Sequence, residues 1–212
     1  RMACAWLTVA GEDVTAPPVA LAGAVDPKRW QAVAQLVASG TAAPLTTSAG
    51  RLFDAVGALC GLRAQVTYEG QAAIELEAAA LRGDAGLPYP VQVQEGDAAS
   101  AGEYPPVLID PREAIRRVAR DVTAGVAVPM IAARFHAGLA EALARACALV
   151  AGRRGLDAVV LSGGVFQNRV LLEAMASHLH DAGLRTLVPQ RLPPNDGGIA
   201  YGQAAVAARR TG

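Results

Sequence analysis

The segment Leu161-Ser162-Gly163-Gly164-Val165-Phe166-Gln167-Asn168 constrains the fold more than any other, because an apolar run turns through two adjacent glycines into a helical stretch. Two successive residues without a Cβ let a ligand lie against the backbone, and N–H groups at a helix start suit a phosphate or an adenine. A tight strand-to-helix closure with no ligand fits the same spacing, and spacing alone leaves both readings open. The surrounding punctuation is that of a βαβ unit. Ala158 to Leu161 reads as a buried strand, 168–182 as a helix, Leu184 to Val188 as a second strand and 196–208 as a closing helix.

Before Leu156 the periodicity is mostly helical. Asp26-Pro27 supplies an N-cap with proline at the first helical position, and Gly40 closes that helix. Leu52, Phe53, Val56 and Leu59 recur at helical spacing, with Thr47 or Ser48 as cap and Gly61 as terminator. Residues 69–82 are an alanine-rich helix, 83–106 a loop or small hairpin with weak strand signals at 91–94, and Pro111 opens a further helix. Ile131, Phe135, Leu139, Leu143, Cys147 and Val150 then form one stripe along a long core helix. Residues 1–25 are apolar and read as β-leaning. The expected organisation is therefore α/β: an N-terminal segment and helical subdomain over 1–130, its helices beginning near 26, and an α/β nucleotide-binding subdomain over 131–212.

Charge and cysteine usage narrow the function. Nineteen basic and nineteen acidic residues cancel, so no long-range positive field draws the chain to nucleic acid. Lys28 is the one lysine beside eighteen arginines, which leaves no lysine for a phosphate-gripping P-loop. Cys4, Cys60 and Cys147 are far apart and unpaired in spacing, as expected of reduced cytoplasmic thiols and not of a zinc knuckle. No apolar run approaches a membrane span, and the N-terminal residues do not read as a charged leader followed by an apolar stretch and a cleavage site. The chain is expected to be cytoplasmic, and its abrupt apolar start is what a fragment would show.

Four further residues or groups carry alternatives. Asp54 lies off the centre of its helix's apolar stripe, where it could face a cleft or simply be solvated. Asp196, in Asn195-Asp196-Gly197-Gly198, reads as an N-cap or as one carboxylate of a metal site. His136 follows Phe135 and is either a hydrogen-bonded core histidine or a cleft residue. His178 and His180, two apart on one helix, face different ways and are read as surface residues. No nucleophile elbow and no cysteine beside a base is present, so no catalytic residue is assigned.

Taken together, Gly50-Arg51-Leu52-Phe53-Asp54-Ala55-Val56, Tyr68-Glu69-Gly70-Gln71-Ala72-Ala73, Leu161 to Asn168 and Asn195-Asp196-Gly197-Gly198-Ile199-Ala200 resemble the HypF carbamoyltransferases of hydrogenase maturation, in order and spacing, over essentially the whole chain. A looser similarity extends to TsaD, the tRNA threonylcarbamoyltransferase. The resemblance implies an actin-like, ribonuclease-H-like lobe, the second lobe of a TsaD-like domain, that holds ATP or carbamoyl-adenylate. It implies ribose contact by Asp54, the nucleoside against Gly70, phosphate or adenine between Gly163 and Gly164, and a hydrogen bond from Asn168. Asp196 would be one ligand of a divalent metal (Fe, Zn or Mg) whose other ligands, a histidine pair spaced four apart, are absent from this sequence. The implied partners are the upstream domains of the same polypeptide and a HypE-like acceptor with a C-terminal cysteine. A TsaD-like subunit and a noncatalytic docking module are the alternatives, and the isolated fragment is expected to be inactive.

Overall fold

In the computed structural model, which describes residues 1–41, 43–44, 46–96 and 106–211, the core is built around one long helix. That helix, α6 (Val128–Arg154), follows α1 (Met2–Ala10), α2 (Pro27–Ser39), α3 (Ala49–Leu59), α4 (Gln71–Ala80), β1 (Gln92–Glu95), β2 (Val107–Asp110) and α5 (Arg112–Thr123). After it come β3 (Ala158–Val160), α7 (Arg169–Asp181), β4 (Arg185–Leu187) and α8 (Ile199–Thr211). Helix α6 packs on α4, α5 and α7 and also touches both β1–β2 and β3. Its apolar stripe explains this: Ile131, Phe135 and Leu139 are buried, and alanines at 132, 140, 142 and 144 let neighbours approach closely.

The expectation of a β-leaning N-terminus is corrected. Residues 2–10 form α1, whose buried positions Ala3, Cys4, Leu7 and Ala10 follow the helical period and not the alternation of a strand. Gly11, with φ of 76°, ends it while its N–H donates to the Thr8 carbonyl and that of Glu12 to Leu7. The strand-like side chains misled because packing of α1 against α2, α3 and α5 decides the conformation, not intrinsic preference. Elsewhere the helices lie where expected: Asp26 accepts from the N–H groups of Lys28 and Arg29, and Gly40 closes α2 in the left-handed conformation. Ser48 stands at the N-cap of α3 without a side-chain cap bond.

Two two-stranded sheets complete the fold. Strands β1 and β2 pair antiparallel from Gln92 opposite Asp110 to Glu95 opposite Val107, so the expected hairpin takes its second strand just past the expected loop, of which 97–105 lie outside the described residues. Strands β3 and β4 run parallel, Ala158 opposite Arg185 and Val160 opposite Leu187. Of the expected buried strand 158–161, Ala158–Val160 form the strand but are not buried, Val160 being 64% exposed, and Leu161 just past it is the buried residue. Parallel strands are normally covered on both faces, and here one face is bare. Helix α8 is equally uncovered: Ile199, Tyr201 and Val206 are exposed, and the helix packs mainly on the turn that precedes it.

The stretch before β1 crosses α6 at backbone distance. The Tyr89 N–H donates to the Arg134 carbonyl (3.2 Å), while the Tyr89 hydroxyl and Arg134 share the Asp121 carboxylate. A Cβ at Gly138 would overlap the Tyr89 carbonyl oxygen, whereas one at Gly152 on the same helix would meet nothing within 4 Å. Alanine in a helix interior normally gains about 0.5–1 kcal/mol over glycine. Gly152→Ala is therefore expected to hold or raise the urea unfolding midpoint, and Gly138→Ala to lower it; equal midpoints for the two variants would refute this packing.

Candidate functional site

The Gly163 turn is built so that its backbone is open. Gly163 sits at φ 101°, ψ 160°, a conformation that side-chain-bearing residues rarely adopt, and nothing lies within 4 Å of where its Cβ would be. Its N–H donates to the Pro194 carbonyl (2.6 Å), and a Cβ on Gly164 would lie 3.8 Å from Asn195. The turn is thereby seated against the loop that carries Asp196. After it, Gly164–Gln167 form one 3-10 turn, and Asn168 caps α7 by accepting from the Leu171 N–H (2.9 Å).

The first turn of α7 is less available to an anion than the sequence suggests. The Arg169 N–H is taken by the Glu77 carboxylate of α4 (2.6 Å) and the Leu171 N–H by Asn168. Among the described residues the N–H groups of Gly164 and Val165 carry no hydrogen bond, so the candidate anion acceptors move from the helix start to the turn itself.

Asn168 is 6% exposed, and its amide nitrogen lies 2.9 Å from His136 Nε2. His136 is fully buried, with Nδ1 2.8 Å from the Ala132 carbonyl and its ring edge-on to Phe53 and Phe135. It is thus the core histidine of the two readings, yet one that holds a candidate ligand. Burial pushes its pKa down, against a smaller upward pull from the Ala132 carbonyl. Phe53 precedes Asp54 on α3, and α3 also touches the 3-10 turn.

Asp54 is half-buried. Burial raises its pKa most, Arg51 lowers it and Glu69 raises it again, which brings the Asp54 carboxylate and the segment before Gly70 into one neighbourhood. Gly70 itself, at φ 80°, follows a clamped loop: the buried Gln71 accepts from the Thr67 N–H (2.8 Å) and hydroxyl (3.1 Å) and donates to Glu75, which Arg63 grips with two nitrogens. Sequence reasoning passed over Glu77 and Gln71. Both are polar residues in an otherwise alanine-rich helix, and that isolation was the available signal.

At Asp196 the capping alternative is corrected by one residue. Asn195 Oδ1 accepts from the Gly197 N–H (3.1 Å), so Asn195 makes the cap and the exposed Asp196 carboxylate caps nothing among the described residues. No group of three or more His, Cys, Asp or Glu side chains among the described residues could hold a metal ion, so the described residues do not fit a complete metal site around Asp196. His178 and His180 are exposed. All three thiols are shifted upward by burial, Cys60 to about 12, and none is a nucleophile at neutral pH. An open depression of about 640 Å³ lined by Ala176, His180, Gly183 and Arg185–Leu187 lies at the far end of α7; it contains none of Asp54, Gly70, Gly163, Gly164, Asn168 or Asp196, whose chemistry marks the site better than concavity does.

A family model described as "Carbamoyltransferase, Kae1-like Domain, second subdomain" matches residues 1–203. The chain is 40% identical over 177 residues to the carbamoyltransferase HypF of Rhodobacter capsulatus, covering 83% of the chain and 21% of that protein. It is 38% identical over 170 residues to HypF of a Synechocystis species, covering 79% and 20%. A crystal structure of full-length HypF in its phosphate- and nucleotide-bound form superposes over 98% of the chain and 26% of that structure, with a TM-score of 0.81 and 29% identity. The chain spans about a fifth of the length of these curated relatives.

The ionised Asp54 carboxylate costs stability in this half-buried place. Its folded pKa is raised, so its favourable contribution is complete below the ordinary aspartate value of about 4 and is lost as pH rises through the folded pKa. Asp54→Asn is expected to raise the neutral-pH melting temperature, with the gain vanishing in acid. A variant less stable than the parent at neutral pH would contradict this.

Proposed function

The chain belongs to the HypF carbamoyltransferases as their second Kae1-like subdomain, and from that premise we propose that it supplies the nucleoside-side wall of a site for ATP and carbamoyl-adenylate. The observation that carries the reading is convergence. The Asp54–Glu69–Gly70 neighbourhood, the open Gly163–Gly164 backbone and the Asp196 loop are joined through Phe53, His136, Asn168 and Pro194.

The roles follow from chemistry. The Asp54 carboxylate accepts from ribose hydroxyls, and partial burial strengthens such charge-assisted bonds. Gly70 and Gly163 let the nucleoside and phosphate approach main chain, and the Gly164 and Val165 N–H groups donate to phosphate oxygens. Asp196 offers one carboxylate to a divalent metal whose remaining ligands lie outside this chain, and no step is assigned to it.

In the reaction proposed for the whole protein, a carbamoyl-adenylate is attacked by the C-terminal cysteine thiol of a HypE-like acceptor. The carbon–sulfur bond forms, the carbon–oxygen bond to AMP breaks, and the thiol proton leaves. The site mainly has to hold an already activated acyl group in line with the thiol. The acceptor must bring the sulfur, since Cys4, Cys60 and Cys147 are buried or half-buried thiols held protonated. The uncovered faces of β3 and α8 support a reading in which the preceding part of the polypeptide completes the lobe and the site. No helix of the described residues is long and apolar enough to cross a membrane, and the reaction proposed belongs to the cytoplasm.

Calorimetric titration with ATP and AMP tests the assignment. Asp54→Ala is expected to weaken binding by roughly 1.5–3 kcal/mol, the worth of charge-assisted hydrogen bonds. Unchanged affinity, in a protein that does bind nucleotide, would remove Asp54 from the ribose site.

A further inference from the structure

Backbone partners fix the hydrogen-bond directions around His136. The Ala132 carbonyl can only accept, so Nδ1 carries the ring proton and Nε2 is the bare nitrogen. The Leu171 N–H can only donate, so Asn168 presents its oxygen to α7 and its NH2 to His136. Two ambiguous side chains are thus each pinned by main chain, and the 2.9 Å contact between them runs from Asn168 Nδ2–H to Nε2. With its oxygen on Leu171 and one amide hydrogen on His136, the buried Asn168 retains one hydrogen for a ligand.

Val165 and Phe166 pack against the helical core, and the Arg169 N–H donates to Glu77 just beyond the turn; hydrogen bonding from the Gly163–Asn168 segment itself to the core is sparse. Its internal bonds, Phe166 N–H to the Gly163 carbonyl and Asn168 N–H to the Val165 carbonyl (each 3.1 Å), fix its shape but not its place. The Gly163 N–H ties it to Pro194. Its side-chain link to α6 is the Asn168–His136 bond, made between residues 32 positions apart. The imidazole in turn is wedged against Phe53 (ring centroids 5.2 Å apart) and Phe135 (5.8 Å), so one buried ring bears on both the turn and the α3 segment that carries Asp54.

We propose that His136 is a positioning residue for the nucleotide turn, acting through Asn168 to hold the Gly163–Gly164 backbone in register with Asp54; the proposal rests on the nucleotide reading above. A neutral imidazole is required, because a protonated Nε2 would face the Asn168 NH2 donor to donor. Removing the acceptor leaves that NH2 buried without a partner, and the relief is for the turn to shift.

The test uses the intact carbamoyltransferase with ATP as the probe, at a temperature where circular dichroism shows every variant folded. His136→Phe keeps a ring between Phe53 and Phe135 but has no acceptor; His136→Gln can place an amide oxygen near the Nε2 position. The expected result is an ATP KM and dissociation constant raised about tenfold in the phenylalanine variant, the loss of roughly one net hydrogen bond, with a smaller change in kcat and recovery in the glutamine variant. Parental ATP affinity in His136→Phe, alongside weakened affinity in Asp54→Ala, overturns the positioning role and leaves the nucleotide reading standing. If neither substitution alters ATP affinity, the nucleotide reading fails and takes the proposal with it. Ring 15N spectra of the unsubstituted protein decide the matter even where a variant does not fold: a bare Nε2 is expected, and a protonated Nε2 at neutral pH overturns the proposal.

Discussion

A buried hydrogen bond from the Asn168 amide to His136 ties the start of α7 to α6 within their packed interface, and the proposed arrangement of the candidate site is built on it. On one side stands a helical bundle whose pillar, α6, carries the histidine at a fully buried position. On the other stands a short strand–turn–helix whose glycines expose main chain but do little to fix it in space. A polar pair in the core is costly unless fully satisfied. Here every assigned direction is satisfied, by Ala132 on one flank and Leu171 on the other. The Glu77 carboxylate adds a second tie at the Arg169 N–H, so α4 and α6 together determine where α7 begins.

The same economy explains what the chain does not contain. Helix starts usually offer free N–H groups to anions, but this one spends two of them on Glu77 and Asn168, while the N–H groups of Gly164 and Val165 in the turn before it carry no hydrogen bond among the described residues. The thiols are all in places where the thiolate is disfavoured. The Asp196 carboxylate, proposed as one ligand of a metal, stands on an exposed turn. An apolar strand face and a terminal helix left uncovered are what the second subdomain of a larger Kae1-like domain should look like.

Much of this was legible in the sequence where a local rule has a single physical outcome. Asp26-Pro27 and Gly40 bounded α2 because capping is short-range, and the two glycines of the turn announced a strand-to-helix junction because few residues tolerate that backbone. Where tertiary contacts decide, the sequence was ambiguous or misleading. Met2 to Ala10 carries residues suited to a strand but packs as a helix against three others. Asp196 could be read as a cap or as a metal carboxylate, yet the cap fell to Asn195, whose side chain is equally able to accept from a nearby N–H. His136, beside Phe135, could be read as a core histidine or a cleft residue, but its bond to a residue 32 positions away had no signature at either end.

The central claim is that ligand lies against the 163–165 turn between Asp54 and Asp196. Amide chemical-shift mapping during AMP titration tests it most directly. The account predicts the largest shifts at Glu69–Gly70, Gly163–Val165 and Asp196–Gly197, with little change along Gly183–Leu187. Shifts concentrated in that latter stretch, around the open depression beside His180, would contradict it.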